Sequence, residues 1–388
     1  MNYPQLVLKS GRDRSVRNRH PWIFSGAVKE RPAKVGEGEI VAVCTNDGEV
    51  LGLGHYAPQS TLICRLFHFG KDEVTIDAEF WHRKLLAAWT YRSKVLDLKT
   101  TTGYRLVHAE GDSLPGIVID IYGDAASVQL RTLGTAKLAP VITQFLENQL
   151  GIAHIYLRTE TKEEGEGKWI KGEEAERTFT ENGVSFYVDI ATGQKTGFFL
   201  DQRDNKTLLK SMANGRRVLN AFSYSGAFSV YALAGGATSV DSVDISASAA
   251  ELATRNVLLN FGKNENHSAI KADAFKFLAE MEKDKYDLII LDPPAFTKHI
   301  STVQKAARGY KEINLKAMQR IAPGGLLFTY SCSQHISTDL FRKIVFGAAA
   351  DAGREVRIVH QMTQAPDHPV SIYHPEGEYL KGLCLYVE

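Results

Sequence analysis

Tyr286-Asp-Leu-Ile-Ile-Leu-Asp-Pro-Pro-Ala-Phe296 decides the fold class. The apolar run 288–291 is too continuous for a strand with one wet face, so it reads as a buried parallel strand. It must stop at Asp292-Pro293-Pro294, because proline removes backbone donors and forbids the ladder to continue. In an open α/β sheet, ligands bind beyond the carboxyl ends of such strands. Asp292, the carbonyls of Pro293 and Pro294, and the ring of Phe296 therefore stand where a flat, nitrogen-rich base could be gripped by edge and face. The bland alternative is an acidic strand end followed by a proline turn.

Outward from this stretch, the chain from about 181 alternates strand and helix patterns, which predicts a doubly wound α/β sheet. Strands are expected over 217–220, 239–243, 288–291 and 326–330. Helices are expected over 227–234, from near 246 to the Phe261-Gly262 stop, and over 305–320. Ser248-x-x-Glu251 offers a capping box for the second of these helices.

The first strand-to-helix turn, Asn220-Ala-Phe222-Ser223-Tyr224-Ser-Gly226, lacks the GxGxxG that admits a dinucleotide pyrophosphate. A single Gly226 among polar neighbours suits a smaller anion, such as an amino-acid carboxylate. Asp244, followed by Ile245, ends the second strand, where a carboxylate can accept from both ribose hydroxyls. Asp273, followed by Ala274, ends a third strand and can take an exocyclic adenine amine, although each Asp would serve equally well as a helix cap. The group described is an adenosine without phosphates that carries an amino acid, so S-adenosylmethionine is the expected cofactor. Upstream, Thr192 to Arg203 is too irregular for one element and is expected to close over that cofactor with Phe199 and Gln202 in reach.

Strand 326–330 runs into Ser331-Cys332-Ser333, which puts Cys332 on the same rim as Asp292. Cys44, Cys64 and Cys384 fall within apolar patterns and read as core. A rim cysteine can ionise and attack. Carbon 5 of cytosine is a poor nucleophile until a thiolate adds to carbon 6 and gives the ring enamine character. Cys332 is thus the candidate nucleophile, with Asp292 on the ring-nitrogen side to stabilise the adduct.

Lys195-Thr-Gly-Phe-Phe-Leu-Asp-Gln-Arg203, Asn220 to Gly226, Leu291-Asp-Pro-Pro-Ala-Phe296, Arg308-Gly-Tyr-Lys-Glu-Ile-Asn314, Ser331-Cys-Ser333 and Glu378-Tyr-Leu-Lys-Gly382 together resemble the bacterial 23S ribosomal RNA (cytosine carbon-5) methyltransferases. The stretch from Lys9-Ser-Gly-Arg12 to His20-Pro-Trp-Ile-Phe24 resembles their PUA domain. The resemblance covers essentially the whole chain in motif order. It implies a PUA domain (1–72), a central α+β domain (73–180) and a class I, Rossmann-like methyltransferase domain (181–388). It also implies Cys332 as nucleophile, Asp292 as base-binding residue and Asp244 as ribose ligand. Ala295 stands where the two-cysteine RNA methyltransferases carry a second thiol, so product release must proceed without one.

Bulk properties agree with a two- or three-domain globular protein: 388 residues, 44% hydrophobic, 23% charged. No apolar run is long enough to span a membrane, no signal peptide is apparent, and the spaced cysteines fit a reducing cytoplasm rather than a metal site. Net charge is only +1, yet residues 1–34 carry eight basic residues against Asp13 and Glu30. Arg12, Arg14, Arg17 and Arg19 head that cluster and are expected to meet ribosomal RNA, free or in an assembling large subunit. A second basic run, Lys298, Lys305, Arg308, Lys311, Lys316 and Arg320, is expected to guide the phosphate backbone. For the ring aromatics of His20 to Phe24, core packing is the leading expectation and base stacking the other.

Two other readings stay open at this level. Asp-Pro-Pro-Ala-Phe also resembles the turn of amino-methyltransferases, so the methyl could go to a purine or an exocyclic nitrogen of RNA without a thiol, and a non-catalytic RNA-binding assembly protein would use neither Cys332 nor the cofactor. Sequence leaves undecided whether the chain works alone or as a homodimer, and which nucleotide it modifies.

Overall fold

The computed structural model describes residues 3–159, 167–193, 196–297 and 299–388. The chain divides into two compact units, neither of them one continuous segment. The first comprises 1–179, 188–198 and 366–377; the second comprises 180–187, 199–365 and 378–388. Among the described residues no helix is long and apolar enough to cross a membrane.

The first unit contains a six-stranded sheet built from Trp22–Phe24, Leu62–Phe69, Val50–Tyr56, Ile40–Cys44, Gln5–Leu8 and Val28–Glu30, in that spatial order. Its five-stranded second sheet runs Lys168–Lys171, His154–Thr159, Ala125–Leu130, Ile117–Tyr122, Gly103–His108. Ala42, Cys44, Leu53 and Phe67 of the first sheet share one apolar cluster with Leu106, Ile119, Val128 and Ile155 of the second. Helix Ala78–Val95 adds Phe80, Trp81 and Leu85 to it. Asp77 starts that helix by accepting the Phe80 N–H at 2.8 Å, which satisfies an otherwise orphaned donor. The Glu/Lys/Gly-rich segment 160–176 has no apolar face, a composition that by itself predicts a loop. Residues 160–166 lie outside the described residues, whereas Lys168–Lys171 is an edge strand paired with His154–Thr159. Backbone pairing there outweighs the polar composition.

The second unit is a seven-stranded sheet. Its strands in chain order are β1 Arg217–Ala221, β2 Ser239–Asp244, β3 His267–Lys271, β4 Leu288–Leu291, β5 Gly325–Ser331, β6 Val356–Met362 and β7 Lys381–Val387. Spatially they lie β3-β2-β1-β4-β5-β7-β6, with β7 antiparallel to both neighbours. The helices are α1 Arg203–Met212, α2 Ala227–Ala234, α3 Ala247–Phe261, α4 Ala274–Glu280, α5 Val303–Arg320 and α6 Thr338–Ala352.

Both faces of the sheet are covered, which is why β4 reads as an unbroken apolar run. Leu219, Ile289, Leu291, Leu327 and Leu385 pack with Tyr310, Ile313 and Phe341 of α5 and α6 on one face. Val218, Leu288, Ile290, Phe328 and Cys384 pack with Leu209 and Phe228 of α1 and α2 on the other. Strand order reverses between β1 and β4, so the crevice expected for a ligand opens at the carboxyl ends of those two strands. The cap of α3 differs from expectation. Ser246, not Ser248, accepts the Ala249 N–H, and Ser248 bonds the Ser246 hydroxyl instead.

Candidate active site

The turn after β1 is held in an unusual backbone conformation. Phe222 and Tyr224 both have positive φ (61° and 44°), which disfavours residues with side chains and persists only where surroundings enforce it. Asp244, at the end of β2, supplies that enforcement. Its Oδ2 accepts the Tyr224 N–H and its Oδ1 accepts the Ser246 N–H, each at 2.9 Å. Each carboxylate oxygen keeps a further lone pair for a ligand. Gly226 (φ 69°) starts α2. A Cβ there would lie 2.6 Å from the Ala253 Cβ, so only glycine lets this turn lie against α3.

The other candidate cofactor residues divide into those that face a ligand position and those that serve the interior. Ile245 is 68% exposed just beyond β2, an apolar surface available to a flat ring. Phe199 and Tyr224 meet edge to face at 5.3 Å between ring centroids. Gln202 is buried and accepts from Asn205 at 2.6 Å. Asn220 is turned inward, donating to Ser229, whose hydroxyl pairs with that of Ser242. Asp273 caps α4 through the Lys276 N–H at 3.0 Å, with Ala274 buried behind it. The hydroxyl of Ser223 is buried and has no hydrogen-bond partner among the described residues. A buried hydroxyl without a partner is unfavourable unless a ligand satisfies it. With the Gly226 approach and the Asp244 carboxylate, that fits a ligand carrying both a small polar group and a ribose.

The second half of the site lies at the ends of β4 and β5. These strands pair in register through Leu291 and Thr329, which brings Asp292 and Cys332 to the same rim. Cys332 is half-buried and its Sγ lies 3.8 Å from the Pro293 carbonyl, within reach of an S–H donor. Pro294 is exposed and Pro293 buried. Phe222, Phe275, Phe296 and Tyr310 form a chain of ring contacts from the β1 turn to α5. Gly309 makes room for it, since a Cβ there would stand 3.2 Å from the Phe296 ring. The Tyr310 hydroxyl pairs with Ser333 Oγ at 2.9 Å, and burial pushes its pKa above the ordinary value.

Sequence reasoning missed Lys381. Its ammonium is only 4% exposed and donates to the carbonyls of Ser333 and Tyr379, both at 2.8 Å. It stands opposite Ser331 in the β5–β7 register. The motif containing it was visible, but the strand pairing that aims it at Cys332's neighbours is a contact of high sequence separation.

The basic clusters are less open than charge counting predicts. Arg12 and Arg14 are exposed. Arg17 is engaged by Asp13 and Glu49, each at 2.6 Å, and Arg19 lies over the rings of Phe69 and Tyr373. On α5, Arg308 is exposed, Lys311 pairs with Asp351 at 2.7 Å, and Arg320 donates to the Met281 carbonyl. Lys298 lies outside the described residues. In the His20–Phe24 stretch the aliphatic Ile23 joins the core, Trp22 donates to Glu110 at 2.8 Å and packs on His374, and Phe24 is exposed. Neither core packing nor surface display alone describes that stretch.

Comparison with known proteins places this geometry. Residues 122–375 match the model of an S-adenosylmethionine-dependent methyltransferase family, and residues 6–69 match a PUA-like domain. The ribosomal RNA large subunit methyltransferase I of Alteromonas mediterranea is 40% identical over 99% of this chain and 98% of its own. That of Aeromonas salmonicida is 42% identical over 98% of each. Among solved structures, a Streptococcus mutans protein described as a SAM-dependent methyltransferase superposes with a TM-score of 0.84 at 23% identity, covering 99% of this chain and 100% of its own. SMU.776, solved with SAH, gives 0.85 at 22% identity with the same coverage. The chain therefore belongs to the S-adenosylmethionine-dependent methyltransferases, in the group of the ribosomal RNA large subunit methyltransferase I proteins, and its cofactor is S-adenosylmethionine.

Proposed function

We propose that this protein methylates carbon 5 of a cytosine in 23S ribosomal RNA through a covalent bond between Cys332 and carbon 6. The observation that carries the reading is the rim shared by β4 and β5, where Cys332 Sγ stands 3.8 Å from the carbonyl of Pro293 beside Asp292. The names of the relatives support large-subunit ribosomal RNA as substrate.

The base must leave its stack to reach this rim. Phe296 offers a ring face to it, Asp292 and the proline carbonyls offer partners to its polar edge, and Cys332 attacks carbon 6. The sulfur electron pair forms the S–C6 bond and the C5–C6 π pair moves toward carbon 5. S-adenosylmethionine supplies the methyl group when bound. Loss of the carbon-5 proton and expulsion of the thiolate then restore the aromatic ring. On the cofactor side, Asp244 is the ribose ligand, the Phe222–Gly226 turn holds the amino-acid end with Ser223 as donor, Ile245 and Ala274 flank the adenine, and Asp273 takes its amine. Phe199 and Gln202 close that side. Arg308 and Lys298, with Arg12 and Arg14, are the phosphate contacts, and Arg17 and Arg19 reach phosphate only by giving up their present partners. The division at 72 and 180, a cytoplasmic location and an assembling subunit as substrate belong to the same proposal.

The test incubates the protein with unmodified ribosomal RNA and methyl-labelled S-adenosylmethionine, then identifies the labelled nucleoside by mass spectrometry. Label in 5-methylcytidine that disappears with Cys332→Ala is expected. Label in a methylated purine, or full activity of Cys332→Ala, overturns the thiolate reading.

A further inference from the structure

We propose that Lys381 is a positioning residue for Cys332, whose buried ammonium fixes the Ser331–Ser333 turn and stabilises the thiolate form of the nucleophile. This inference rests on the reading of Cys332 as nucleophile.

The geometry begins with the last strand. β7 enters the sheet antiparallel to β5 and pairs Lys381 with Ser331, one residue before Cys332. The side chain is almost fully removed from water, and the partners of its ammonium among the described residues are carbonyls, with Glu378 acting on it only at longer range. Its two acceptors among the described residues are neutral carbonyls, Ser333 on one flank of Cys332 and Tyr379 on its own segment. An ammonium has three donors, so one is left over. Burying an ammonium against carbonyls alone is unfavourable, which makes its retention here informative.

The electrostatics agree. Burial pushes the Lys381 ammonium down to about 8, and the largest opposing influence is Cys332, followed by Glu378. Coupling is reciprocal, so a charged Lys381 must favour ionised Cys332 to the same degree. The remaining groups around the pair are Asp292 at the end of β4, Tyr310 on α5 through Ser333, and Glu378 on the approach to β7. Asp292 and Glu378 are acidic and oppose thiolate formation, while neutral Tyr310 is indifferent. Lys381 is the cation that offsets them. When the thiol ionises, its proton passes to solvent and the ammonium keeps all of its own. When sulfur then bonds to carbon 6, the charge leaves sulfur. On elimination it returns, and the same ammonium receives it. A fixed cation therefore assists both attack and release, which matters in a site with Ala295 instead of a second cysteine.

The experiment measures the rate of iodoacetamide alkylation of Cys332 against pH in the full-length protein, read on the Cys332 peptide by mass spectrometry. The unsubstituted protein is expected to show half-ionisation about one pH unit or more below the ordinary 8.5 of a free thiol. Lys381→Met, checked for folding by circular dichroism and for SAH binding by calorimetry, is expected to move that midpoint up by about one unit, a tenfold slower alkylation at pH 7. Lys381→Arg, which keeps the charge, is expected to stay within threefold of the unsubstituted protein. A purely structural lysine would change folding or SAH binding and leave the midpoint where it was. An unsubstituted midpoint at or above 8.5 overturns the proposal without any variant, as does an unmoved midpoint in folded Lys381→Met. Failure of the functional reading looks different, because it appears as label in a nucleoside other than 5-methylcytidine whatever the alkylation profile.

Discussion

Lys206→Met would strand a carboxylate in the interior of the second unit. Lys206 and Glu181 are 1% and 0% exposed, with Nζ and Oε1 2.6 Å apart. The Tyr231 hydroxyl donates to the Glu181 carboxylate at 3.1 Å and to its backbone carbonyl at 2.9 Å. Burial pushes Glu181 up and Lys206 down, each opposed by the other's charge. Methionine keeps the stem and removes the ammonium. Glu181 then keeps the Arg203 charge nearby, and taking a proton limits what its burial can cost. At pH 7 that lies about 2.5 pH units above its ordinary 4.5, so the protonated form costs about 3 kcal/mol relative to the unfolded chain. This sets the destabilisation, in keeping with the range of about 3–5 kcal/mol for breaking buried pairs. The sign follows from proton counting. In the variant the folded chain holds one proton more than the unfolded chain, so its stability is full below 4.5 and falls as pH rises. The unsubstituted pair holds one proton in both states and adds no slope there. Urea unfolding should thus show a loss of about 3 kcal/mol at pH 7 that shrinks to about 1 kcal/mol at pH 5. Adding Glu181→Gln should recover most of the loss. Because Lys206 also donates to the Phe199 carbonyl, SAH affinity should weaken in the single variant as well. A loss that does not vary between pH 5 and 7 would falsify the stranded-carboxylate account.

Three further outcomes are expected. Gly226→Ala should destabilise by about 2–4 kcal/mol, combining left-handed strain with overpacking against Ala253; urea midpoints check it, and a loss under 1 kcal/mol would refute the close approach. Asp244→Ala should weaken SAH binding at least tenfold by calorimetry, because it frees the Tyr224 and Ser246 N–H groups as well as removing the carboxylate proposed to hold the ribose; unchanged affinity would count against the ribose assignment. Burial pushes His55 down to about 4, so the unfolded chain binds a proton from 6.5 downward that the folded chain refuses until about 4. Stability should fall by up to about 3 kcal/mol across that window, and His55→Gln should flatten the slope in urea titrations at several pH values.

The sheet and its crevice were legible because they rest on local signals: the apolar β4 run, the Pro293-Pro294 stop and the single Gly226. Cys332 and Asp292 were placed on one rim from strand ends alone. What escaped the sequence depends on distant partners. Arg17 loses its open charge to Glu49 and Lys311 to Asp351, residues that no local window joins. Asn220 turns toward Ser229 although its position suited a ligand. Lys381 is informative only through the β5–β7 register, and antiparallel insertion of the final strand has no signature in periodicity.

That insertion also bears on how the protein is made. β7 separates β5 from β6, so the sheet stays split until Lys381–Val387 has emerged from the ribosome, and residues 366–377 are needed by the first unit. At about 5–20 residues per second, a chain that has already made 1–365 waits with an open sheet edge beside β5. Neither unit can finish early, and a fragment cut near 180 would lack parts of the first. Translation through the last segment is the step at which both units close, and the same segment delivers the ammonium next to Cys332.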